Sequence, residues 1–146
     1  MGGINVKRWI MGGLTAGVLI WILEGLASQF YMADMEVALE AHNLAFDMSG
    51  STMAMTLIVS LIAGLALVFF YAASRPRFGP GPRTAAIVAL AFWFGSTLIS
   101  LLGYDLMGLF TSGMLAMWGA VGLVEMVIAS LAGAWLYRED EAGGVV

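Results

Sequence analysis

Four apolar stretches dominate the chain, at about residues 9–30, 52–73, 84–103 and 113–137, and short polar links separate them. Each holds about 20 residues or more, which at 1.5 Å per residue crosses a hydrocarbon core of ~30 Å. An α-helix is the only open segment that satisfies its own backbone polar groups in lipid. The short alternating strands of a β-barrel are not seen. The pattern therefore predicts an all-α membrane protein, an antiparallel bundle of four transmembrane helices forming one domain over residues 1–146.

Two links carry patterns of their own. Between the first and second spans, Met32, Met35, Leu39, His42 and Phe46 fall at helical steps, with Glu36, Glu40, Asn43 and Asp47 on another face. That spacing predicts an amphipathic helix over 31–48, lying on the outer surface. Its polar face is anionic, so it is expected to dock on the bundle or a partner rather than on anionic lipid. The link at 74–85 holds all three prolines, Pro76, Pro80 and Pro82, and reads as a stiff extended strap. Arg75, Arg77 and Arg83 along it are expected to meet lipid headgroups.

Composition narrows the class. Apolar residues make up 61% of the chain and charged residues 11%, with no cysteine and a net charge of −4. A soluble domain carries roughly a quarter charged residues. A nucleic-acid binder needs a basic footprint, and a disulfide, zinc-ribbon or thiol-nucleophile protein needs cysteine. None of these classes fits.

The cations set an orientation. Lys7, Arg8, Arg75, Arg77, Arg83 and Arg138 all fall near one set of helix ends, whereas the links 31–51 and 104–112 carry acids and no Lys or Arg. By the positive-inside rule both termini are cytoplasmic. Lys7, Arg8, the run from Trp9 to Leu23, and Gly25-Leu26-Ala27 before Ser28 also resemble a secretory signal peptide. Glu24 just upstream of that cleavage position, and a run long enough to span, favour a retained helix. Aromatics at Trp9, Phe30, Tyr31, Tyr71, Tyr104, Trp135 and Tyr137 are expected at the two membrane interfaces.

Apolar helices in lipid associate through close backbone packing, so stripes of small residues mark their contacts. The expected contact residues are Gly13 and Gly17 on the first span, Ser60 and Gly64 on the second, Ser96 and Ser100 on the third, and Gly119, Gly122 and Gly133 on the fourth. A spare stripe could also join two copies of the chain or a partner in a membrane complex.

Two sets of residues could carry chemistry. Glu24 and Glu125 are the ionisable groups inside the spans, and each costs on the order of 3 kcal/mol if it stays charged in hydrocarbon. Both fall on small-residue stripes and are expected to face the interior. Counted at 1.5 Å per residue they lie about 10 Å and about 18 Å below the outer surface, close but not level. They suit either a proton or cation path, or a hydrogen bond that fixes helix register. The second set is methionine: Met32, Met35, Met48, Met53, Met55, Met107, Met114 and Met117 gather toward the outer half. Thioethers are soft ligands for Cu(I), and Met32, Met35 and His42 form the candidate outer-face site; the plainer role of methionine is to fill irregular gaps.

The segments R-P-R-F-G-P-G-P-R-T-A at 75–85 and G-A-W-L-Y-R-E at 133–139 resemble small uncharacterised four-span bacterial integral membrane proteins. The resemblance implies fold and topology and brings no activity. The leading expectation is a non-catalytic structural or accessory protein of the bacterial inner membrane, self-associating or part of a complex, with the lipid bilayer as partner and no resident cofactor. The alternatives are a small proton- or cation-linked transporter using Glu24 and Glu125, and an outer-face Cu(I)-binding protein. Direct catalysis ranks last.

Overall fold

The computed structural model describes residues 4–45 and 47–138, and these residues are helical throughout, apart from short links. Phe46, read above from sequence, lies outside the described residues, as do residues 1–3 and 139–146. The helices are α1 (Val6–Ser28), α2 (Met32–Glu40), α3 (Gly50–Phe78), α4 (Pro82–Trp93), α5 (Ile99–Met107) and α6 (Ser112–Leu136). A π-helical turn, Phe94–Leu98, joins α4 to α5 without a break. Among the described residues, four helical units are long and apolar enough to cross a membrane: α1, α3, Pro82–Met107 and α6.

Polar residues fix where the helices begin. Asn5, Ser49 and Thr111 accept hydrogen bonds from the backbone amides of Arg8, Thr52 and Met114, each satisfying an amide that the first turn leaves open. Asp47 braces the start of α3 by accepting from Ser49 and Thr52, and these bonds hold its carboxyl below the usual range.

The expected strap at 74–85 is not extended. α3 runs on through Pro76 to Phe78, and α4 begins at Pro82. Pro76 sits in the last turn, where the apolar run has already committed the helix. Pro82 is at the first helical position, where a missing amide costs nothing. Only Gly79-Pro80-Gly81 turns the chain, and Gly79 at φ 80° and Gly81 at φ 122° adopt backbone that side chains disfavour. Tyr71 Oη accepts from Gly81 N at 3.0 Å and Thr84 Oγ1 donates to Gly79 O at 2.7 Å, which tie the turn to both helices. Arg77 and Arg83 are exposed, as a headgroup contact requires. Arg75 instead turns back, its guanidinium 5.3 Å from the Tyr137 ring centre.

The expected outer helix is also shorter than its pattern. α2 ends at Glu40, so His42 falls in the turn at 41–43 and not on the helical face of Met32, Met35 and Leu39, and Asn43 closes that turn at φ 57°. The His42 ring bonds back to Ala38 O at 2.9 Å.

Glycines set the closest approaches. A Cβ built on Gly64 would collide with backbone atoms of Gly13 and Gly17, and one on Gly17 would lie 2.6 Å from Leu61 Cα. Indole donors extend this seam: Trp9 Nε1 donates to Leu65 O at 2.8 Å and Trp21 Nε1 to Thr56 Oγ1 at 3.2 Å. Partners fall along α3 as they rise along α1. On its other side α1 meets α6, where a Cβ on Gly12 would lie 2.7 Å from Gly133 O. Gly119 and Gly122 face Leu101 and Thr97, and Trp93 Nε1 donates to Gly119 O at 2.9 Å. Ser60 contributes its carbonyl to the Gly17 contact.

Ser96 and Ser100 depart from the expected packing role. Both are exposed, and their hydroxyls donate to Phe92 O at 2.6 Å and Ser96 O at 2.8 Å on their own helix. The π-turn explains this: an extra residue in the turn shifts the face by about 100° and leaves carbonyls that nearby hydroxyls satisfy.

The close-packed core lies toward the cation-rich end, with Leu67, Val68, Tyr71, Ala72, Ala85, Ala89, Ala129 and Tyr137 nearly inaccessible. Tyr71 and Tyr137, expected at an interface, pack edge to face within it, their rings 6.1 Å apart. Toward the acidic end packing loosens: no residue of the π-turn, α5 or α2 is fully buried. Two cavities that share Glu24 open there.

Candidate functional site

Glu125 is 5% exposed and lies on the face of α6 turned toward α1. Glu24, four residues before the end of α1, is exposed rather than turned fully inward as expected, yet its carboxyl comes close enough to that of Glu125 to hydrogen-bond. Their carboxyls meet despite the offset expected from counting along the helices. Glu125 is 13 residues into α6, so α6 projects roughly 13 Å beyond the end of α1 at 1.5 Å per residue. The α1–α2 link folds into the space beside that projection.

Tyr31 fills the space. Expected at an interface, it is 6% exposed, and its hydroxyl donates to Glu24 Oε1. Burial and then the Glu24 carboxylate push this phenol above its ordinary range, so it remains a donor. Its ring packs edge to face on Trp118 at 5.4 Å, and Trp118 in turn on Phe110 at 4.7 Å.

A cavity of about 260 Å³ lies among these groups, walled by Glu24, Tyr31, Met35, Thr97, Trp118, Val121, Gly122, Glu125 and Met126. Its polar rim is unsatisfied. Trp118 Nε1 and Glu125 Oε1 are buried without a hydrogen-bond partner. Two ionised carboxylates are both acceptors, so the Glu24–Glu125 contact becomes a hydrogen bond only when a proton sits between them. A cation in the same place would serve equally. No Lys, Arg or His lines the cavity to do so.

A second cavity of about 480 Å³ shares Glu24, Tyr31 and Met35 and runs between α1, α2 and α3. Met32, Met35, Met48 and Met53 line it together, with Trp21, Thr52, Thr56 and Ser60. The structure thus gathers Met32 and Met35 with two further thioethers, and leaves His42 outside the group.

Trp118, Thr97 and Gly12 were not singled out by the sequence, and Tyr31 was read only as an interface aromatic. A signal existed for Trp118: with Gly122, Glu125 and Ala129 it makes steps of four, three and four along one face. Tyr31 could not be read this way, because the helix ends between it and Glu24. Thr97 reaches the cavity through the π-turn, whose position the sequence does not announce.

No protein-family model, curated protein or solved structure matches the chain.

Proposed function

We propose that this chain is a multi-pass protein of the bacterial inner membrane in which Glu24 and Glu125 form a site for a proton or small cation in a proton- or cation-linked transport path. In this reading the helices make an antiparallel four-helix bundle with both termini in the cytoplasm, since every Lys and Arg lies at that end. The acid pair then sits in the outer half.

One observation carries the proposal. Two acidic side chains from α1 and α6 meet at a cavity that no basic residue lines, and the buried carboxyl oxygen of Glu125 has no donor. Glu125 is buried beside the exposed Glu24, and a buried carboxylate next to a like charge is costly unless something positive joins them. A carboxyl pair serving only to pin register would be sealed in a dry seam. Glu24 instead borders two cavities.

The test is flux through the purified protein in liposomes under an imposed pH or monovalent-cation gradient. Decay of the gradient faster than in protein-free liposomes is expected. Equal decay under every gradient contradicts the proposal and returns the chain to a structural or accessory role.

A further inference from the structure

We propose that the cavity between α1, α2, the π-turn and α6 takes a small organic monovalent cation of the alkylammonium class, held between the Glu24–Glu125 pair and the rings of Tyr31 and Trp118. This inference rests on reading the acid pair as a cation site and adds the chemistry of the occupant.

Charge comes first. Glu24 and Glu125 supply the negative partners, and the chain's six cations stand at the opposite end. The walls then choose among cations. Sodium and potassium require a shell of oxygen ligands to replace water, as hard cations do. Beyond the two carboxyls, the Tyr31 hydroxyl and the Thr97 hydroxyl, this cavity offers thioethers, an aliphatic side chain and aromatic carbon. Such surface suits N-methyl groups, which can pack on the apolar walls while the carboxyls face the charge.

Aromatic geometry points the same way. The Tyr31 and Trp118 rings both line the cavity and meet edge to face, at 61° with centroids 5.4 Å apart. Ring faces attract organic cations, and tryptophan does so most strongly. A volume of about 260 Å³, just below the range of drug-sized pockets, accommodates a small ion such as tetramethylammonium or choline.

The experiment is calorimetric titration of the full chain in lipid nanodiscs with tetramethylammonium, and with sodium as the comparison. Saturable binding of tetramethylammonium is expected, at least tenfold tighter than sodium. Trp118→Leu should weaken it at least tenfold, Trp118→Phe should restore most of it, and Glu125→Gln should remove it. Melting of each variant, followed in parallel, separates lost binding from lost fold. Equal affinity in wild type and a folded Trp118→Leu overturns the proposal, as does the absence of saturable binding. If gradient-driven flux persists in that last case, only the identity of the occupant falls. If flux is absent too, the acid-pair reading falls with it.

Discussion

Replacing Gly64 by alanine is expected to destabilise the protein by about 1–3 kcal/mol, the usual range for overpacking a close contact. The added methyl would collide with the backbone of Gly13 and Gly17, and backbone cannot rotate aside as a side chain can. The α1–α3 seam must open along its length, loosening the Trp9–Leu65 and Trp21–Thr56 hydrogen bonds as well. Gly25→Ala on α1, the other helix of the seam, is the control, since nothing lies within 4 Å of its added methyl. There the gain in helix propensity should leave stability unchanged or raised by up to ~1 kcal/mol. Reversible unfolding in mixed micelles reads both. Equal losses at the two positions would mean that close approach is not what holds α1 to α3.

Exchanging Glu125 for glutamine should reduce flux in liposomes to the protein-free level, at least a tenfold loss, while leaving the folded protein intact. Glutamine keeps the shape and the hydrogen-bonding capacity of a protonated acid, so a carboxyl that only pinned helices would tolerate it. It can neither release a proton nor balance a cation. Glu24→Gln should behave alike, because the two acids face one another across the same seam. Tyr31→Phe is expected to be milder, a fall of about threefold to tenfold. It removes one hydrogen bond to a charged group and keeps the ring against Trp118. Retention of full flux in both glutamine variants would assign the pair a structural role.

Much of this arrangement was legible because lipid imposes simple rules. A span must be long and apolar, and its contacts must be small, so Gly13, Gly17, Gly64 and Gly133 could be picked out from spacing alone. The same rules failed where local geometry intervened. The prolines of 74–85 suggested an extended strap, yet Pro76 falls in a closing turn and Pro82 in an opening one, where each is tolerated. The π-turn rotates Ser96 and Ser100 off the seam and brings Thr97 onto the cavity, a shift that periodicity cannot register.

The candidate site was half legible. Glu24 and Glu125 stand out in any apolar span, because a carboxyl there is expensive. Tyr31 does not stand out, since an aromatic near a helix end ordinarily belongs to an interface. Its burial depends on α6 projecting past α1, which is a tertiary fact. His42 shows the converse. It shares a helical face with Met32 and Met35 on paper, but α2 ends before reaching it.

The meeting of α1 and α6 at Glu24 and Glu125 can be measured directly, because the chain contains no cysteine of its own. A Glu24→Cys/Glu125→Cys variant in nanodiscs, treated with a short bifunctional thiol reagent, should consume both thiols and add one linker to the intact mass. Glu24→Cys/Leu123→Cys is the comparison, since position 123 lies on the opposite side of α6 at about 100° per residue. High yield in the first variant and little in the second is the predicted result. Equal yields, or linkage confined to the Leu123 variant, would contradict the pairing on which the transport reading and the organic-cation site both depend.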